Sequence, residues 1–135
     1  MTTTTHTQNG RDLLAGLYAA IATADVPAAH ALLAPDVVLH VPGTHPLAGD
    51  HEGRDAVLAF VAASSNLADR TEDVDIIDVL EGSTHAAALC LVTGRREGRV
   101  ALVNRTVHLF RVEDQRLAEI WFHNWDQPAT DAFWG

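Results

Sequence analysis

The chain is 135 residues long with 47% apolar and 6% aromatic side chains, which suits one compact domain and excludes a disordered tail protein. Nine basic against eighteen acidic residues leave a formal charge of −9 with the eight histidines neutral, a surface that repels phosphate backbones and anionic membranes and sets both aside as partners. Every cation is Arg, so there is no Schiff-base, P-loop or pyridoxal-anchoring lysine, and the single Cys90 can form neither an internal disulfide nor a thiolate zinc site.

Residues 1–10 are Thr-rich and polar and read as a disordered tail ahead of one domain over residues 11–135. They hold no basic-then-apolar leader pattern, and no apolar run reaches membrane-spanning length, so the expectation is a soluble cytoplasmic protein. The Ala- and Arg-rich, Lys-free composition is of the kind a GC-rich bacterial genome gives.

Asp12 is the expected cap of a first helix carrying Leu13, Leu14, Leu17, Tyr18 and Ile21 at helical spacing. Asp25-Val26-Pro27 then starts a short second helix through Leu32 and Leu33, which Ala34-Pro35-Asp36 stops. Val37 to Val41 is β-branched and reads as a strand ended by Pro42-Gly43. Thr44 to Gly53 reads as a loop or small hairpin, and Asp55 opens a third helix with Val57, Leu58, Phe60 and Val61.

From there the texture is strands only. Val74 and Ile76 alternate with acids, but Ile77 and Val79 carry the pattern on the other parity, which is how a β-bulge near Ile76-Ile77 looks in sequence. His85–Thr93, Val100–Val112 and Leu117–Trp125 follow as strands joined by tight turns, and Gln127–Gly135 reads as a turn of helix. Three helices before an antiparallel meander is an α+β pattern. On the last strand Leu117, Trp121 and Trp125 share one parity, and Ala118, Ile120 and Phe122 the other. Both faces are apolar, more than three short helices can cover, so the indole face is expected to pair with a second copy as a homodimer. The competing reading places the indoles under the C-terminal tail.

This order resembles the nuclear transport factor 2-like superfamily, and within it the SnoaL-like polyketide cyclases and ketosteroid isomerases. The likeness rests on Tyr18-Ala19-Ala20-Ile21, on Leu32 through Gly43, on Pro46-Leu47-Ala48-Gly49 with Glu52 through Val57, and on Leu117-Ala118-Glu119-Ile120-Trp121 with Asp126. It implies a cone: a curved, mostly antiparallel sheet wrapped around three N-terminal helices, as in cystatin-like folds, with an apolar cavity between the layers. It fixes the fold more than the activity, because one scaffold hosts many functions.

The resemblance also implies roles. Ketosteroid isomerases place a carboxylate base beside a proline after the first strand; the matching position is Val41, so that base is missing. Tyr18 lies within about one residue of their first-helix tyrosine, and His108 falls near their middle-strand acid, where an imidazole donates a hydrogen bond or transfers a proton. SnoaL-like cyclases have an acid–base aspartate on the last strand, for which Asp126 is the candidate. The catalytic expectation is therefore Asp126, His108 and Tyr18, without a cofactor.

Asn104, Thr106, Phe122, Ile120, Phe60 and His40 are the expected ligand contacts, Asn104 serving with Tyr18 as donor to an oxyanion. The Asp-Arg-Asp pattern of the superfamily's epoxide hydrolases is absent, since Val107 follows Arg105 by two. His40, His45 and His51 follow no compact metal motif, so no metal site is expected. The Glu72-Asp73-Val74-Asp75 run reads as a solvated strand face. These residues favour a cofactor-free isomerase, aldol cyclase or hydratase/dehydratase acting on a hydrophobic carbonyl-bearing or polycyclic molecule. The alternatives on the same scaffold are a ligand carrier and a protein-interaction module.

Overall fold

A computed structural model of the chain describes residues 9–135; the expected tail, residues 1–8 of it, lies outside the described residues. Helix α1 (Gly10–Ala22) opens two residues before Asp12, because Asn9 is the cap and accepts the Asp12 N–H. Its buried stripe is Leu13, Leu14, Leu17 and Ala20. Asp25 caps α2 (Val26–Leu32) by accepting from the Ala28 N–H, with Pro27 in the first turn. Strand β1 (Leu33–Val41) begins earlier than the sequence pattern indicates and absorbs Pro35 in an irregular stretch between Leu33 and Val38. β2 (Gly49–Glu52) completes a hairpin with it, and α3 (Arg54–Leu67) follows Gly53, whose φ of +91° suits glycine.

The second half is the meander β3 (Asp73–Glu81), β4 (His85–Gly94), β5 (Leu102–Glu113) and β6 (Arg116–Asn124), closed by α4 (Gln127–Trp134). One six-stranded sheet runs β2-β1-β6-β5-β4-β3, antiparallel except where β1 and β6 pair parallel. The expected bulge is there: Ile76 faces Cys90 and Asp78 faces Leu89, leaving Ile77 as the extra residue, 63% exposed.

Burial alternates residue by residue along β4, so one face of the sheet is covered and the other is not. The covered face carries Val37, Leu39, Cys90, Phe110 and Ile120 against the helices. Leu117 belongs to it too, contrary to the parity assignment with the indoles. Arg111 pairs with Glu119 but Val112 with Leu117, so Ala118 is an extra residue that turns Leu117 inward to complete burial. The uncovered face carries Trp121, Leu109 and the 64% exposed Trp125, while α4 sends Phe133 and Trp134 into the core. The indoles are therefore not buried under the tail. Among the described residues no helix is long and apolar enough to cross a membrane.

Candidate functional site: an apolar pocket with a buried tyrosine–histidine pair

Between the helices and the covered sheet face lies a cavity of about 550 Å³. Its wall is mostly apolar: Leu17 and Ile21 from α1, Phe60 and Val61 from α3, and Ile120 and Phe122 from β6. Tyr18, His108 and Asn104 join them, so six of the nine expected site residues come together here.

His108 is centred on β5 and faces inward because Asn104, Thr106, His108 and Phe110 share one parity. The Tyr18 hydroxyl lies 2.5 Å from its Nδ1, Phe122 stacks on the ring at a centroid distance of 4.0 Å, and the Cys90 thiol is 3.9 Å from the same nitrogen. Burial drives all three titrations toward neutrality. It pushes His108 down to about 3 and Cys90 up to about 11, and holds the Tyr18 phenol well above its usual range. The site therefore keeps an un-ionised phenol against an uncharged imidazole at any ordinary pH. We assign the phenol as donor to Nδ1, which puts the imidazole proton on Nε2. Of the two roles expected of this imidazole, burial disfavours proton exchange near neutral pH and leaves hydrogen-bond donation from Nε2.

Three expected residues lie elsewhere. Asp126 is exposed at the end of β6 and caps α4, accepting the Ala129 N–H at 3.0 Å, so it does not look into the cavity. His40 is on the uncovered face, between Asp50 Oδ1 at 2.7 Å and Glu119 Oε2 at 2.6 Å, with its ring on Trp121. Burial alone would lower its pKa, but the hydrogen bonds to Glu119 and Asp50 and then their charges outweigh it, for a net rise. Thr106 points inward but is 1% exposed, its hydroxyl donating to the His123 carbonyl at 3.1 Å rather than lining the cavity.

Two wall residues escaped the sequence pattern. Glu72, assigned to a solvated acid run, lines the cavity with the Ser64 hydroxyl donating to its Oε1 at 3.1 Å. Burial raises its pKa more than that bond lowers it. It precedes β3 on a connection, where alternation carries no information. His45, expected in an exposed loop, is 7% exposed and on the cavity wall, with Nδ1 accepting from the Leu47 N–H and burial lowering its pKa. His51 is half-buried, its Nε2 donating to the Leu47 carbonyl, so His40, His45 and His51 face three different environments. Val41, at the position of the missing base, is on the wall.

A mixed sheet packed on helices around a cavity is the α+β fold of structures described as nuclear transport factor 2-like and as cystatin-like. The SnoaL-like domain model matches residues 14–120, and the chain belongs to that family. An uncharacterised protein of Mycobacterium tuberculosis H37Rv is 34% identical over 124 residues, covering 91% of this chain and 94% of its own. Among solved structures, Bal32a from a soil-derived mobile gene cassette superposes with a TM-score of 0.89 at 24% identity, over 93% of this chain and 96% of that one. A cystatin-like protein of unknown function from Xanthomonas campestris gives 0.86 at 29%, over 95% and 99%. IdmH of Streptomyces antibioticus, described as a candidate polyketide cyclase, gives 0.71 at 22%, over 87% and 93%. At their identities Bal32a and IdmH carry the fold alone.

Proposed function

We propose that this protein binds an elongated hydrophobic small molecule in the pocket, with a carbonyl oxygen of the ligand held by the Tyr18–His108 pair. The observation that carries the reading is the buried His108 imidazole, hydrogen-bonded to Tyr18 and stacked on Phe122 in an apolar wall. A desolvated N–H donor there is worth more to a carbonyl than the same donor in water. Asn104 lies four residues along β5 from His108, about 13 Å at strand rise, so the polar groups are spread along the cavity rather than gathered at one atom. The test is native mass spectrometry of freshly purified protein for a retained molecule, followed by infrared spectroscopy of a bound aryl ketone. The carbonyl stretch is expected to fall on binding and to return in His108→Leu; an unshifted stretch in bound wild type overturns the reading.

A second reading, cofactor-free proton transfer of the isomerase, cyclase or hydratase/dehydratase type, is favoured by Glu72, a carboxyl on the cavity wall whose pKa is raised by burial. It predicts that Glu72→Gln abolishes turnover while leaving ligand binding. Against it stand Val41 in the usual base position and Asp126 outside the cavity. We further propose a homodimer through the uncovered sheet face, supported by the exposed Trp125, Leu80 and Val103 and the half-buried Trp121 spread across that face. Trp125→Glu is expected to yield monomers in sedimentation, and an unchanged sedimentation coefficient speaks against that face.

A further inference from the structure

One line of side-chain amides runs from the cavity wall to the surface. Asn104 Nδ2 donates to Asn124 Oδ1 at 2.9 Å, Asn124 Nδ2 to Gln127 Oε1 at 2.9 Å, and Gln127 Nε2 to Asp131 Oδ1 at 3.0 Å and the Pro42 carbonyl at 3.3 Å. The far end sets the sense. A backbone carbonyl and a carboxylate only accept, so Gln127 must turn its NH₂ toward them and its oxygen toward Asn124. Burial alone would raise the Asp131 pKa, but hydrogen bonds from the Thr44 N–H and the Gln127 amide outweigh it and keep the carboxylate ionised. Asn124 must then donate to Gln127 and accept from Asn104, and Asn104 is left with its oxygen free. Flipping any one amide sets two acceptors or two donors against each other.

The consequence falls on the cavity. Asn104 is on its wall, 9% exposed, and its Oδ1 is the one buried side-chain polar atom without a hydrogen-bond partner among the described residues. A buried acceptor left unpaired is costly and rare in native proteins, and this one is held that way by four other groups. The terminal amide torsion is broad, so the oxygen can lean toward an arriving group while its NH₂ stays on Asn124.

We propose that Asn104 Oδ1 is the acceptor subsite of the pocket and selects ligands bearing a hydroxyl or N–H group at this end, with Gln127 as the positioning residue that fixes its sense. This rests on the pocket reading above and narrows it to an apolar molecule with a carbonyl near His108 and a hydrogen-bond donor roughly 13 Å away along the strand. Toward the ligand it gives Asn104 the part of an acceptor, alongside the oxyanion-donor role expected from the sequence, for which the second Nδ2 hydrogen is still available.

The test uses matched pairs, a naphthol and a phenanthrol each with its methyl ether, titrated into the purified full chain and followed by the fluorescence of Trp134 on the cavity wall. Wild type is expected to bind each phenol about tenfold tighter than its ether, the effect of one buried hydrogen bond. Asn104→Leu is expected to lose that ratio while keeping affinity for the ethers. Gln127→Leu, which does not touch the cavity, is expected to lower the ratio without changing ether affinity, a split that simple loosening of α4 would not produce. Equal binding of phenol and ether by wild type overturns the subsite and leaves the pocket standing. Failure of all four probes to bind overturns both, and a ratio unchanged in Asn104→Leu assigns the preference to another group and overturns this one.

Discussion

Replacing Tyr18 by Phe removes one oxygen and little else. The ring keeps its edge-on packing against Phe110 at 6.1 Å, and no other residue has to move. What is lost is the donor to His108 Nδ1, leaving a desolvated nitrogen lone pair in the core with only the weakly donating Cys90 thiol nearby. An orphaned buried acceptor costs about 1–3 kcal/mol. With a urea dependence of roughly 1.5 kcal/mol per molar for a chain of this size, the midpoint is expected to fall by about 1 M. The diagnostic measurement is the double mutant. Replacing both partners by apolar groups of similar shape removes the stranded polar atoms together, so Tyr18→Phe with His108→Leu is expected to be at least about 1 kcal/mol more stable than the sum of the single losses. Additive losses, or a single mutant that unfolds at the wild-type urea concentration, would refute the idea that the phenol donates to an otherwise unpaired imidazole.

The same burial predicts acid sensitivity. His108 titrates at about 3 when folded against 6.5 when exposed, so below pH 6.5 the unfolded chain takes up a proton that the folded one refuses. Stability should fall with pH through this window by up to about 1.4 kcal/mol per unit, a slope that urea midpoints in His108→Leu should lack. His40 acts in the other window. Its folded pKa is raised, so its contribution is full below 6.5 and is lost as pH rises through the folded value; His40→Gln should flatten the midpoint-versus-pH curve above pH 6.5. Gly43→Ala should destabilise by more than about 2 kcal/mol in the same assay. The glycine has a φ of +113°, and a Cβ there would overlap Asp131 Oδ1 and Gln127 Nε2.

Much of this was legible in the residues because strands alternate. Asn104, His108 and Phe122 could be placed on one inward face by counting, and the extra residue at Ile77 could be seen because the apolar parity switches there. The bulge at Ala118 left no such mark, since Leu117 and Ala118 are both apolar, and it reversed the side to which Leu117 belongs. Asp126 was misplaced for a related reason. A carboxylate where a strand stops serves equally as an inward base or a helix cap, and what decided was Pro128 with the six residues that follow it, which make α4 a real helix with orphan N–H groups to satisfy. His40 stood one residue from Val41 on opposite sides of the sheet, so a strict count would have sent it outward. The amide line was invisible, because Asn104, Asn124, Gln127 and Asp131 meet only once β5, β6 and α4 are assembled.

The parallel pairing of β1 with β6 joins segments about eighty positions apart, as in the bond from His40 to Glu119. A nascent chain that has made only its first half holds a lone hairpin with no third strand to lean on, and such a hairpin is marginal in water. Ile120 and Phe122, which β6 contributes to the cavity wall, are made after the other five strands, and α4 after them. The hollow is thus closed only after all the other strands of this domain have been made. C-terminal truncations should yield chains with no binding ability rather than weakened binders, and a ligand can stabilise only the finished product, having nothing to grip on any earlier form.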